Sequence, residues 1–126
     1  MRWIVDGMNV IGSRPDGWWK DRRGAMAGLV ERLERWAAAG GHRVTVVFEE
    51  PPVPPIESAV VEVGHAPRAG ANSADDEIVR LVEAAALPAE ITVVTSDSGL
   101  AARIRDTGAA VQSATGFRDV IERFGH

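Results

Sequence analysis

Cysteine is absent from this 126-residue chain, and histidine occurs only three times. Without cysteine there can be no disulfide, no thiolate metal site and no catalytic thiol, and a reducing cytoplasm is compatible with that absence without following from it. His42, His65 and His126 share no metal-ligand spacing. His126 is terminal, His42 reads as a surface residue between a helix and a strand, and His65 is a candidate ligand contact. No apolar stretch approaches the roughly 20 residues that span a bilayer, and Met1-Arg2-Trp3 leads straight into strand-like sequence without a signal peptide. No Gly-Lys-Ser or Gly-Lys-Thr marks a Walker loop, no G-x-G-x-x-G follows a strand, and no G-x-S-x-G elbow occurs. A basic excess is missing too. The formal net charge of −4 excludes a strongly basic coat, although basic patches can still be local.

What is present is ordinary for a globular protein, with 45% hydrophobic and 25% charged residues, and the length suits one domain over residues 1–126. Arg2 to Val5 reads as a short buried strand, followed by a Gly/Pro/Asp loop from Gly12 to Gly17. From Trp19 to Ala39, Met26, Leu29, Val30, Leu33, Trp36 and Ala37 recur at helical spacing, and Gly40-Gly41 ends that helix. Val44 to Phe48 is a β-branched run typical of a strand covered on both faces. The prolines from Pro51 to Pro55 require an extended surface connection, Ala59 to Val63 is a weaker edge strand, and His65 to Asn72 is a loop. Helices are expected over Ser73–Ala86, Ser98–Asp106 and Thr115–Phe124, with strands over Ile91–Thr95 and Ala109–Gln112. Strands alternating with helices predict a three-layer α/β/α domain with a mainly parallel sheet, whose strand order periodicity does not reveal.

Three acidic stops stand out in this frame. Asp6 closes Trp3-Ile4-Val5, Asp97 closes Ile91-Thr92-Val93-Val94, and Asp75-Asp76 opens the helix that begins at Ser73. In an open parallel sheet the strand ends share the edge where ligands bind, and carboxylates gathered there repel one another unless a cation joins them. Each stop also has a structural explanation. Asp6-Gly7 and Ser96-Asp97-Ser98-Gly99 are ordinary turn sequences, and Ser73 with Asp76 three residues on suits a helix cap. Spacing separates the middle pair: Asp75 shares the stripe of Ile78 and Val82, whereas Asp76 falls with Val79, Arg80 and Glu83 on a more solvated side. Together the acids point to a hard-cation site holding Mg²⁺ or Mn²⁺, and so to phosphate chemistry.

Asp6-Gly7-Met8-Asn9-Val10-Ile11, then Ser73-Ala74-Asp75-Asp76-Glu77-Ile78, then Val93-Val94-Thr95-Ser96-Asp97 resembles an NYN domain of the PIN-like nuclease group, nearest its YacP-like branch. The resemblance spans nearly the whole chain and implies a PIN-like fold with metal-dependent hydrolysis of RNA. It implies metal binding by Asp6, Asp75 and Asp97, with Asp76 a second acid that only some members retain. Asn9 matches the companion polar residue near the first acid and Ser96 the small polar residue before the last. One position departs from the pattern: many relatives place Asp after the second strand, where this chain has Glu49-Glu50 before its prolines.

For substrate, Arg14, Lys20, Arg22 and Arg23 cluster beside Trp18 and Trp19, and Arg68 precedes Asp75. Cations beside aromatics suit a phosphate backbone and a stacked base, while the same residues would equally form the packed start and solvated face of a helix. The expected function is a cytoplasmic endoribonuclease with RNA as partner and association with the ribosome as a further expectation. An RNA- or ribosome-binding adaptor with a weak site and a metal-dependent phosphatase are the alternatives.

Overall fold

All four strand pairings are parallel, so every strand of the sheet delivers its C-terminal end to one edge. In a computed structural model describing residues 1–67 and 73–124, the elements run β1 (Arg2–Asp6), α1 (Gly7–Ile11), α2 (Arg22–Gly40), β2 (Arg43–Phe48), β3 (Val61–His65), α3 (Ser73–Ala84), β4 (Ile91–Val94), α4 (Ser98–Asp106), β5 (Ala110–Gln112) and α5 (Ala114–Arg123), with single 3₁₀ turns at Trp18–Lys20 and Pro88–Glu90. The sheet order is β3-β2-β1-β4-β5. The chain winds outward from β1 in both directions, so the order reverses between β1 and β4, and an open α/β sheet binds ligands at such a point.

Alternation along the central strands builds two cores. Val5, Val46, Phe48 and Val94 face α1, α2 and α5, where Leu29, Leu33 and Phe117 pack on them. Ile4, Val47 and Val93 face α3 and α4, where Ile78, Val82 and Ile104 complete the second core. The fold is therefore the three-layer α/β/α sandwich, with a wholly parallel sheet. Among the described residues, no helix is long and apolar enough to cross a membrane.

Several boundaries differ from expectation for identifiable reasons. Five residues of helix, α1, follow β1 directly where only a turn is expected from Asp6-Gly7. Its shortness hides it from periodicity. The long helix starts at Arg22 rather than Trp19, because Asp21 is its N-cap and accepts a hydrogen bond from the Gly24 N–H at 2.9 Å. It ends as expected, with Gly41 at φ 66°. The edge strand lies two residues later than Ala59–Val63, because Val61 to His65 pair with Val44 to Phe48. The following loop is expected over 65–72; its residues 68–72, with Arg68, lie outside the described residues, as does His126. His42 is half-buried rather than a plain surface residue, stacked on Trp36 with centroids 4.1 Å apart. Val79, placed by spacing on a solvated side, is buried in the second core.

Candidate functional site

Asp6 is the last residue of β1 and is 6% exposed. Its Oδ2 accepts the Thr95 hydroxyl at 3.0 Å. Thr95 is itself buried and follows the last paired residue of β4, and its Oγ1 accepts the Asp97 N–H at 3.1 Å. One hydroxyl thus couples the first and third acidic stops. Asp97 meets both readings of its sequence. Its Oδ1 caps α4 by accepting the Leu100 N–H at 2.8 Å, and the residue lines the same cleft as Asp6. Asn9, carried by α1, accepts the Ser96 N–H on its Oδ1 at 2.8 Å. Ser96 Oγ in turn accepts the Ala114 N–H at the start of α5, at 2.9 Å. The loop after β4 is therefore held from both sides.

Gly7 allows this close packing. A Cβ there would lie 2.6 Å from Cε1 of Phe48, so α1 reaches its position only with glycine after Asp6. On the opposite side Ser73 donates to the Glu49 carbonyl at 3.2 Å, tying the start of α3 to the end of β2. Ser73 lies within the helix, and this tether replaces the capping role expected of it.

The resulting cleft has a volume of about 290 Å³. Asp6, Glu49, Asp75 and Asp97 bring four carboxylates to it, and Asn9, Met8, Trp18 and Arg22 complete its walls. Burial raises the Asp6 pKa to about 7; the Thr95 hydrogen bond opposes the rise, while Asp75, Asp97 and Glu49 add to it by repulsion. Asp75 is also raised, first by burial and then by Asp97, with Arg103 acting in the opposite direction. Four carboxylates cannot all ionise comfortably in this space, and a divalent cation would relieve them. All-oxygen donors suit Mg²⁺ or Mn²⁺, and the donor set fits such an ion. Among the described residues, no three acidic or histidine groups already stand in metal-holding geometry, so the carboxylates share a cleft without being drawn around one point.

The remaining candidates divide sharply. Asp76 does not line the cleft: its side chain is 79% exposed and pairs with Arg103 of α4 at 2.9 Å. Arg22 lines the cleft with its guanidinium 5.6 Å from the Trp18 ring centroid, and among the described residues it has no carboxylate partner. Arg23 donates instead to the carbonyls of Pro54 and Pro55, at 2.9 and 3.3 Å. Arg14 is directed away, bonded to Asp119 and, at 2.6 Å, to Glu122 on α5. Trp19 is 53% exposed and meets Trp18 edge-on, and His65 bonds the Ala66 carbonyl outside the cleft. Thr95 is the site residue that sequence reasoning passed over. Its signal was a hydroxyl directly after the buried pair Val93-Val94 and two residues before Asp97.

A parallel α/β/α sandwich with acids collected at the reversal of strand order is an arrangement that PIN-like nuclease domains share with other doubly wound folds. The chain belongs to the YacP-like NYN family, whose model matches residues 3–125. It is similar to Rae1 (YacP) from Bacillus subtilis, whose crystal structure superposes with a TM-score of 0.78 at 27% identity, covering 98% of this chain and 76% of that one. A tryptophan-to-leucine variant of Rae1 gives a TM-score of 0.75 at 28% identity, over 97% of this chain and 77% of its own. No curated protein sequence matches the chain.

Proposed function

We propose that this protein is a metal-dependent ribonuclease that cuts RNA phosphodiesters internally, in the cytoplasm. The observation that carries the reading is the meeting of Asp6, Glu49, Asp75 and Asp97 in one cleft beside Trp18 and Arg22. A bound Mg²⁺ or Mn²⁺ ion supplies an activated water and neutralises charge on the phosphate and the leaving oxygen. Asp6, Asp75 and Asp97 would hold the ion, and Glu49, with its longer arm, stands where the family resemblance places Asp in many relatives. Asp6 is partly protonated near neutral pH, so binding of a cation there would be linked to proton release. Asn9 and Ser96 act indirectly, by holding the loop that carries Asp97. Arg22 receives a backbone phosphate, and the Trp18 face beside it offers a surface for a base. Met8, Arg22 and Glu49 also line a neighbouring depression, so the cleft continues past them, which favours a continuous strand over a free nucleotide and internal cutting over end trimming.

Incubation of mixed-sequence single-stranded RNA with Mg²⁺ or Mn²⁺, beside Asp97→Asn, tests this. Asparagine keeps an oxygen for the Leu100 cap, so the variant should fold. The expected result is metal-dependent release of internal fragments, abolished in the variant. Bound but intact RNA under both metals would replace the reading with an adaptor, and hydrolysis of mononucleotides alone would replace it with a phosphatase.

A further inference from the structure

A second depression, of about 280 Å³, lies between the start of α2 and the proline segment that follows β2. Three residues, Met8, Arg22 and Glu49, line both this trough and the acidic cleft, so the two are continuous. The surfaces differ in character. Half-buried Met8 and the exposed Pro51 and Val53 present its apolar surface, Met26, Phe48 and Pro52 are buried behind them, and Glu50 stands exposed at the rim. Arg23 keeps the wall in place by binding the carbonyls of Pro54 and Pro55. The trough is thus shaped by the folded chain itself, and among the described residues the one cation it shares with the cleft is Arg22.

Resting on the nuclease reading, we propose that this trough is a base-binding subsite for the nucleotide next to the scissile phosphate, and that Glu50 sets its base preference. The size admits one base, since the depression measures about 280 Å³. The polarity argues likewise, because a planar base needs an apolar slot while its phosphate needs the cation at the slot's mouth. An ionised carboxylate accepts hydrogen bonds and cannot donate them. Glu50 therefore favours adenine, cytosine or guanine, each of which carries an exocyclic amine, over uracil, whose lone ring N–H is flanked by two carbonyl oxygens. The pairing of Glu with an exocyclic amine is the same one used in reading cytosine N4.

The test is an abasic scan. A short RNA with a single cut site is made with one base deleted at each successive position. Binding is measured by fluorescence anisotropy with Asp97→Asn, and cleavage with the wild type. One position adjacent to the cut should weaken binding about tenfold. At that position, uracil should be cut several-fold more slowly than adenine or cytosine. Glu50→Gln, at an exposed site, should level that difference, because an amide both donates and accepts. A flat scan with cleavage intact overturns the subsite and leaves the nuclease reading standing. A position-specific binding loss without any cleavage by the wild type overturns the nuclease reading, and with it the subsite's place beside a scissile phosphate, leaving only a base-binding trough. An unchanged base preference in Glu50→Gln overturns the role of Glu50.

Discussion

Thr95 donates to Oδ2 of Asp6 at 3.0 Å and, through the same oxygen, accepts the backbone N–H of Asp97. Removing that hydroxyl leaves a buried carboxylate and a backbone N–H without their partner. Thr95→Val should cost about 1–3 kcal/mol of stability, read from denaturant midpoints. The hydrogen bond holds the Asp6 pKa down, so its loss should also carry the acidic limb of the activity profile to higher pH. Thr95→Ser, which keeps the hydroxyl, should restore both. A valine variant with normal stability and an unmoved profile would show that the bond is incidental.

Asp6 should make the metal-free protein less stable as pH rises. Between its ordinary value of 3.8 and about 7, the folded chain holds a proton that the unfolded chain has released. Stability from this group is therefore full below that window, falls as pH climbs through it, and levels off above about 7. Asp6→Asn removes the dependence, and asparagine can still accept from Thr95. With chelator present, the variant should exceed the wild type at pH 8 by up to about 4 kcal/mol, with little gain at pH 4. Urea unfolding at both values checks this, and a variant that is weaker at pH 8 would contradict it. Added Mn²⁺ should raise the wild-type melting temperature far more than that of Asp6→Asn.

Gly7→Ala should disturb the site through packing alone. The new methyl would lie 2.6 and 2.7 Å from two carbons of the Phe48 ring, well inside contact distance. The ring is fully buried and has little room to move, so a cost of about 1–3 kcal/mol is expected. Combining it with Phe48→Leu should recover part of the loss, and a double-mutant cycle on melting data would show the coupling. Simple additivity would mean that α1 shifts instead.

Arg14 and Arg22 should separate cleanly in RNA affinity. Arg14 is engaged by Asp119 and Glu122, whereas Arg22 is held only by its Trp18 contact among the described residues. Arg22→Gln should weaken RNA binding and reduce the salt slope by about 1. Arg14→Gln should leave both unchanged and lower stability by no more than about 1 kcal/mol, as for an exposed ion pair. Titrations at several salt concentrations test both together, and an equal loss in the two variants would refute the distinction.

Arg118 of α5 should matter to stability more than any of these surface cations. Its half-sunk guanidinium bonds Asp16 at 2.6 Å, Glu122 at 2.9 Å and the Ile11 carbonyl at 2.9 Å. It thereby joins the last helix to α1 and to the loop leading to Trp18. Arg118→Met should cost about 1.5–3 kcal/mol, measured by thermal or chemical unfolding. A change near zero would mean that the apolar contacts of Phe117 and Ile121 hold α5 without it.

Strong local patterns were readable in advance. The helix Ser98–Asp106 has the expected bounds, and the apolar runs ending at Val5, Phe48 and Val94 are three central strands. Their composition is dictated by burial on both faces, so it shows in the residues themselves. The short α1 was not readable, because five residues carry too little periodicity. The fate of the arginines was hidden as well, since Arg14 and Arg22 look alike in sequence until α5 supplies carboxylates to one of them.

The sequence alone determined that carboxylates would stand at the ends of apolar strands, with a glycine and an asparagine just past the first, because those features depend on neighbours only a few residues away. Tertiary structure decided that β1 lies beside β4 and that Asp6 meets a hydroxyl 89 residues further along. It also decided that Glu49 joins the cleft while Asp76 is taken up by Arg103. Burial, repulsion between distant charges and the pairing of remote strands are properties of the assembled chain, and no local spacing encodes them.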